Sequence, residues 1–337
     1  MSTLNHQFRL ASRPVGAIKR SDFEFAGEDL REPSDGEVQA KVLYLSLDPA
    51  MRGWMNASKE SYIPPVGIGE VMRALGLGRV TASHDPNFKL GDHVTGVMGI
   101  QEYATVKGQT LTKVDPKLAP LPLYLGTLGM PGLTAYFGVI DEGQVKEGDT
   151  VVVSGAAGAV GAVVGQLAKI KGARVIGIAG GAEKCRYLVD DLGFDAAIDY
   201  KNDDLHATLK EHAPKGVDLY FDNVGGEILD TVLMHLALHA RIVICGAISQ
   251  YNNDGAFKGP SNYMALLVKR ATMKGFLVAD YYPRAKEAVT AMTGFIKAGR
   301  LKTREEVVQG LETFPETFNR LFSGEKLGKL VLQVAAE

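Results

Sequence analysis

Three glycines mark where this sequence could do chemistry. Gly155, Gly158 and Gly161 follow the β-branched run Thr150–Ser154 as G-x-x-G-x-x-G, and Val160, Val163, Val164 and Leu167 then recur at i, i+3, i+4 and i+7. A strand, a tight turn and a helix with one apolar face satisfy that pattern. Glycine at such a turn lets the backbone approach a pyrophosphate, and the helix start offers unpaired N–H groups and the positive end of its dipole. The same glycines would serve a helix packed closely on a strand with no ligand, and the spacing departs from the usual G-x-G-x-x-G. Dinucleotide binding is favoured because further strand–helix units follow the turn.

The end of the next strand bears on which dinucleotide. An NAD site places a carboxylate about twenty residues further on, to hold the adenosine ribose hydroxyls. Here GIAGGAEKCRY puts Gly180 and Gly181 in that place, with no acid before Glu183, and Lys184 and Arg186 follow. NADP(H) is favoured over NAD(H), with Lys184 as the countercharge to a 2′-phosphate. The alternative for Lys184 is an ordinary solvated lysine.

Zinc chemistry fails on the residue count. No cysteine precedes Cys185, and His6, His84 and His93 form no ligand spacing. There is no G-x-S-x-G elbow and no P-loop lysine. Without a Lewis acid, alcohol oxidation lacks the group that would stabilise an alkoxide. Hydride delivery to an activated C=C bond needs less, because the charge develops on an enolate oxygen that one hydroxyl donor can hold.

The elements that must position these residues follow from composition and pattern. The chain has 337 residues, 46% hydrophobic and 23% charged, with a net charge of 37 − 39 = −2. That length suits about two domains with a sizeable core. The charge balance gives no footprint for nucleic acid. Two cysteines sixty positions apart form no disulfide framework, and MSTLNHQFRLASRP has no apolar stretch of signal-peptide length, so a cytoplasmic setting is expected. Thr150 to Ala168 is uncharged over nineteen residues, but four glycines and a β-branched start fit strand, turn and helix better than a membrane span.

The pattern changes near residue 125. Before it, short β-type runs such as 37–47 and 93–99 are separated by Gly, Pro and Asp, as in an irregular antiparallel domain. After it, apolar runs at Thr150–Ser154, Arg174–Ile178, Ala196–Asp199, Asp218–Asp222, Arg241–Cys245 and Met273–Val278 predict parallel strands buried on both faces. Helices are expected between them, notably Ala159–Lys171, Ala182–Leu192 and Gly226–Leu238. The fold class is therefore α/β, with a doubly wound sheet over 126–299 and a β domain over 1–125 that a strand from 300–337 completes.

The runs LGTLGMPGLTAYFG (125–138), VVVSGAAGAVGAVVGQLAKIKG, GFDAAIDYK, YFDNVGGE and ICGAISQYN, with SLDPAMRGWM (46–55) and SGEKLGKLVL (323–332), resemble one family in order and spacing. It is the zinc-independent branch of the medium-chain dehydrogenases/reductases that includes prostaglandin reductases, plant alkenal double-bond reductases and bacterial curcumin reductase. The resemblance implies a GroES-like β domain, a Rossmann domain, NADPH as cofactor, a homodimer, and reduction of the C=C bond of α,β-unsaturated ketones or aldehydes. A quinone reductase, a secondary-alcohol oxidoreductase or a non-catalytic NADPH-binding protein would share the cofactor site.

Carried over by position, the resemblance places Ala157, Gly158, Ala159 and Val160 against the pyrophosphate, and Gly180, Lys184 and Tyr200 around the 2′-phosphate and adenosine. Asn223 would hydrogen-bond the cofactor. Cys245, Gly246, Ala247, Ile248 and Ser249, with Phe276, Leu277 and Val278, would line the nicotinamide side. Tyr251 matches a tyrosine that assists protonation or orients substrate; its bland reading is a loop aromatic packed over the cofactor. Ala50, Tyr62 and Met130 are candidate substrate-pocket residues. Two departures stand out: Ala50 replaces the tyrosine of SLDPYMR, which implies a wider pocket, and Lys326 replaces the asparagine of G-x-N-x-G-K.

Overall fold

Fifteen strands and nine α-helices organise the described residues, which in this computed structural model are 4–58, 61–253 and 257–337. The start of the N-terminal stretch, 1–3, lies outside them. The chain divides into two compact units: one takes the chain as far as Gly126 together with Glu305–Lys326 and Leu330–Glu337, the other Thr127–Arg304 and Leu327–Lys329.

In the first unit, β1 (Leu4–Leu10) and β2 (Phe23–Asp29) form an antiparallel ribbon. A larger sheet runs β14 (Glu305–Gln309), β15 (Lys329–Gln333), β3 (Glu37–Ser46), β4 (Leu75–Ser83), β5 (His93–Val97) and β7 (Thr112–Val114), with β6 (Tyr103–Lys107) also on β3. The C-terminal strand β15 pairs antiparallel with β3, Val331 opposite Ser46 and Gln333 opposite Tyr44. Helix α9 (Phe314–Ser323) buries Phe314, Phe318 and Leu321 at i, i+4 and i+7, and Phe314 packs on Phe8 and Phe23 at ring separations of 5.4 and 5.3 Å. In the short helix α1 (Ala50–Trp54), buried Arg52 donates to Gly16 O (3.1 Å), Pro14 O (2.9 Å) and Asn56 Oδ1 (2.7 Å). This arginine of the SLDPAMR run thus ties down the N-terminal segment.

The second unit holds a six-stranded, wholly parallel sheet in the order β10 (Ala196–Asp199), β9 (Arg174–Ala179), β8 (Thr150–Ser154), β11 (Val217–Asp222), β12 (Leu236–Ile244) and β13 (Thr272–Gly275). Val151–Val153 and Leu219–Phe221 have no exposed surface, because helices cover both faces of the central strands. The helices are α2 (Met130–Phe137), α3 (Gly161–Ile170), α4 (Ala182–Arg186), α5 (Leu205–His212), α6 (Gly226–Leu233), α7 (Met264–Lys269) and α8 (Ala285–Lys297). Strand order reverses between β8 and β11, where sheets of this kind open a crevice for ligands.

Several expected boundaries move. The helix expected from Ala159 begins at Gly161, since 155–160 is consumed by the turn. Helix α4 stops at Arg186 and continues as a π-helical turn over Tyr187–Asp191. The helix expected to reach Leu238 ends at Leu233. Leu236 already pairs with Val217, and a register shift with His239 at φ 62° brings the strand back into alignment at Arg241. The last strand ends at Gly275 rather than Val278, and the Phe276 ring packs edge-on against Phe221 and Tyr281. No helix among the described residues is long and apolar enough to cross a membrane.

Candidate functional site

The turn after β8 is built by backbone contacts that leave little room for side chains. Gly158 N–H donates to Gly155 O (3.0 Å), and Ala162 and Val164 N–H then reach Gly158 O and Val160 O (both 3.0 Å) as α3 starts. A Cβ on Gly161 would lie 2.5 Å from Gly155 O, so only glycine lets the helix pack this closely on the turn. No side chain caps the helix at Val160. The helix start therefore keeps the positive end of its dipole beside the 155–160 turn, as an anion site requires. A feature not read from the sequence joins the turn: Gly328 N–H donates to Ala157 O at 2.9 Å. Its only signal was the second glycine of GEKLGK.

At the end of β9, Gly180 occupies the position where a ribose-binding acid would stand. A Cβ there would lie 2.9 Å from both the Tyr200 ring and Lys201 Cε. Tyr200 is 46% exposed, and Lys184 sits half-buried in the first turn of α4. Lys201, absent from the sequence reading, thus joins the predicted set. The nearby acid, Asp199, is spent on the fold: Gly181 and Lys201 N–H donate to its Oδ1 (2.7 and 3.2 Å), and Asn202 Nδ2 to its Oδ2 (2.7 Å). Those bonds, the Gly181 amide first, hold its carboxyl below the usual range.

Across the switch point, Asn223 N–H donates to Ser154 Oγ (2.9 Å) and Asn223 Nδ2 to Ser154 O (2.7 Å). The loop after β12 is laid over that corner. Cys245 and Gly246 N–H reach Asp222 O (2.8 and 3.1 Å), Ile248 N–H reaches Asn223 O (3.2 Å), and Ser249 Oγ donates to Val224 O (2.6 Å). The predicted segments 155–160, 223 and 245–251 therefore meet at one end of the sheet. Tyr251 folds back over its own loop, its hydroxyl accepting Ala247 N–H at 3.1 Å. Burial and the neighbouring Asp222 push the Cys245 thiol up to about 12, which leaves it protonated and inert.

Three expected contributors differ in kind. The Phe276 ring packs against Phe221 and Tyr281, Leu277 is exposed and Val278 half-buried. In the first unit, Ala50 opens α1 and Tyr62 is 61% exposed, its hydroxyl accepting Trp54 Nε1 at 3.4 Å. Met130 opens α2 in the second unit, half-buried, its carbonyl accepting Thr134 Oγ1 (2.8 Å).

A parallel sheet of this order with a glycine turn at its switch point defines a Rossmann-type α/β protein. Residues 6–114 match a family described as the N-terminal domain of oxidoreductase, and residues 159–294 one described as zinc-binding dehydrogenase. Among the described residues, no cluster of three or more His, Cys, Asp or Glu is placed to hold a metal ion. The NADPH-dependent curcumin reductase of Escherichia coli is 44% identical over 99% of this chain and 98% of its own. The 2-alkenal reductase (NADP(+)-dependent) of Nicotiana tabacum is 42% identical over 99% and 98%. CurA from Vibrio vulnificus, solved in complex with NADPH, superposes with a TM-score of 0.93 at 45% identity, covering 98% of this chain and 100% of that one. This chain belongs to the medium-chain dehydrogenase/reductase superfamily, in the branch of prostaglandin, alkenal and curcumin reductases.

Proposed function

We propose that this protein is an NADPH-dependent reductase of the C=C bond in α,β-unsaturated ketones and aldehydes. The observation that carries the cofactor choice is the end of β9, where a side-chain-free Gly180 lies between Tyr200 and Lys201 and no acid competes with a 2′-phosphate. The reaction class is supported by near-full-length similarity to a curcumin reductase and a 2-alkenal reductase.

The residues present fit the cofactor. The glycine turn, whose close approach a Cβ on Gly161 would abolish, is shaped for a pyrophosphate. Lys184, Tyr200 and Lys201 would surround the 2′-phosphate and adenine. Asn223, the 245–249 loop and the backbone of 276–278 would hold the nicotinamide half. Bound NADPH supplies the hydride. The protein orients the unsaturated carbonyl and gives the oxygen that gains charge a donor. The Tyr251 hydroxyl, which accepts Ala247 N–H at 3.1 Å, is the O–H group proposed to hold the oxygen that gains charge. Ala50, Tyr62 and Met130 are proposed to contact the substrate.

The test is loss of NADPH absorbance with a panel of small and long-chain enones, enals, quinones and secondary alcohols, with NADH in parallel. We expect turnover of enones with NADPH and a saturated ketone as product. Quinone turnover alone would replace the reading with quinone reduction, and NADPH binding without any turnover would leave only a binding protein.

A further inference from the structure

Asp222, at the end of β11, is 1% exposed. A buried carboxylate is costly unless donors answer it. Four donors converge on Oδ1: Ser154 Oγ (2.9 Å), Tyr220 Oη (2.8 Å), Val224 N–H (3.0 Å) and Gly225 N–H (2.9 Å). Oδ2 is buried with no hydrogen-bond partner among the described residues. The main-chain oxygen of the same residue takes Cys245 and Gly246 N–H. Ser154 is the last residue before the glycine turn, Val224 and Gly225 lead into α6, and Cys245 and Gly246 start the Tyr251 loop. Burial, and then the charge of Asp222, push the Tyr220 hydroxyl well above its usual range, so it remains a donor.

Sheet packing alone does not ask for this arrangement. Apolar side chains would hold three parallel strands together without burying a charge. What a single carboxylate oxygen shared by Ser154 on β8 and by Val224 and Gly225 beyond β11 adds is a fixed spacing between those two segments, while Cys245 and Gly246 are held by the backbone of the same residue. We propose that the Asp222 carboxylate is a positioning group that sets the spacing of the Ser154–Gly155 and Asn223–Gly225 segments around the nicotinamide half of the dinucleotide. The assignment rests on the NADPH reading given above. It concerns one half of the ligand only, because the Gly180–Tyr200 corner shares none of these bonds.

That asymmetry supplies the test, by calorimetric or fluorescence titration of the full chain with NADPH and, separately, with adenosine 2′-monophosphate, which lacks the nicotinamide half. Asp222→Ala is expected to weaken NADPH by about tenfold or more, as expected for orphaning bonds to a charged group, while the fragment moves by less than about twofold. Asp222→Asn, which keeps an acceptor oxygen for the four donors, is expected to stay within about threefold of wild type for both ligands. If Asp222→Ala does not fold, Ser154→Ala removes one donor, orphans Asn223 N–H, and is expected to weaken NADPH selectively by about threefold. Undiminished NADPH affinity in the alanine variants, or a parallel loss of both ligands, would overturn the inference. Wild-type protein that bound neither ligand would overturn the dinucleotide reading, and this inference with it.

Discussion

Tyr251 is the residue on which the proposed chemistry turns, and its surroundings say what replacing it should do. Its hydroxyl accepts Ala247 N–H, yet the loop is also held by Ile248 and Ser249 to the Asn223 corner. Tyr251→Phe should therefore lower kcat for enones by about tenfold to a hundredfold, the range of a lost donor, while KM for NADPH moves by less than about threefold. Steady-state kinetics with a small enone separate the two. An unchanged kcat would return Tyr251 to a packing role, and a KM effect alone would make it a loop strut. The residue was singled out because ICGAISQYN matches a run of the family that the sequence resembles. Asp222 was equally visible in YFDNVGG and went unread, since nothing in a sequence tells an acid that ends a strand in solvent from one that collects four donors. Gly328 and Lys201 escaped for a related reason: each reaches its partner through the fold, Gly328 from 171 positions beyond Ala157.

The elements carry the next distinction, between turns that local chemistry specifies and ends that tertiary pairing decides. The Gly155–Gly161 turn was readable because only glycine tolerates its close approach. The end of α6 was not, because the apolar period continues through Leu236 and Leu238 while strand pairing to Val217 takes those residues into the sheet. The Gly180–Gly181 turn lies between these cases: its glycines were seen, but the carboxylate that holds it comes from another strand. Asp199 has its carboxyl held below the ordinary range, chiefly by Gly181 N–H and then Asn202. A lowered folded-state value means that its contribution is complete above the unfolded value of about 3.9 and is lost as pH falls through the lower folded value. Asp199→Asn should thus destabilise the protein by about 1–2 kcal/mol at neutral pH, the scale of hydrogen bonds to a charged group, with the difference from wild type shrinking below about pH 4. Urea unfolding at the two pH values reads this, and a difference that persists undiminished in acid would remove the charge from the account.

At the scale of the whole molecule, the two edges of the parallel sheet differ. Strand β10 is largely buried, whereas β13 ends the sheet with Thr272, Lys274 and Gly275 exposed and a strand partner on one side only. Helix α7, which leads into β13, presents Met264, Leu267 and Val268 at 52%, 69% and 64% exposure, and Tyr263 adds 58%. An open edge beside an apolar helix face is a standing invitation to pair, and a second copy of the same edge satisfies it through a two-fold axis. We propose that this face carries the homodimer that the family resemblance implies. The wild-type protein should then run at twice the chain mass in size-exclusion chromatography with light scattering. The double variant Leu267→Asp, Val268→Asp should run at the mass of one chain, because both protomers would bring two charges to the same buried patch. Its unit folds should persist, since neither side chain is in a core. A wild-type monomer would remove the dimer altogether. A double variant that stays dimeric would move the interface off α7 and leave the exposed edge of β13 to be covered in some other way.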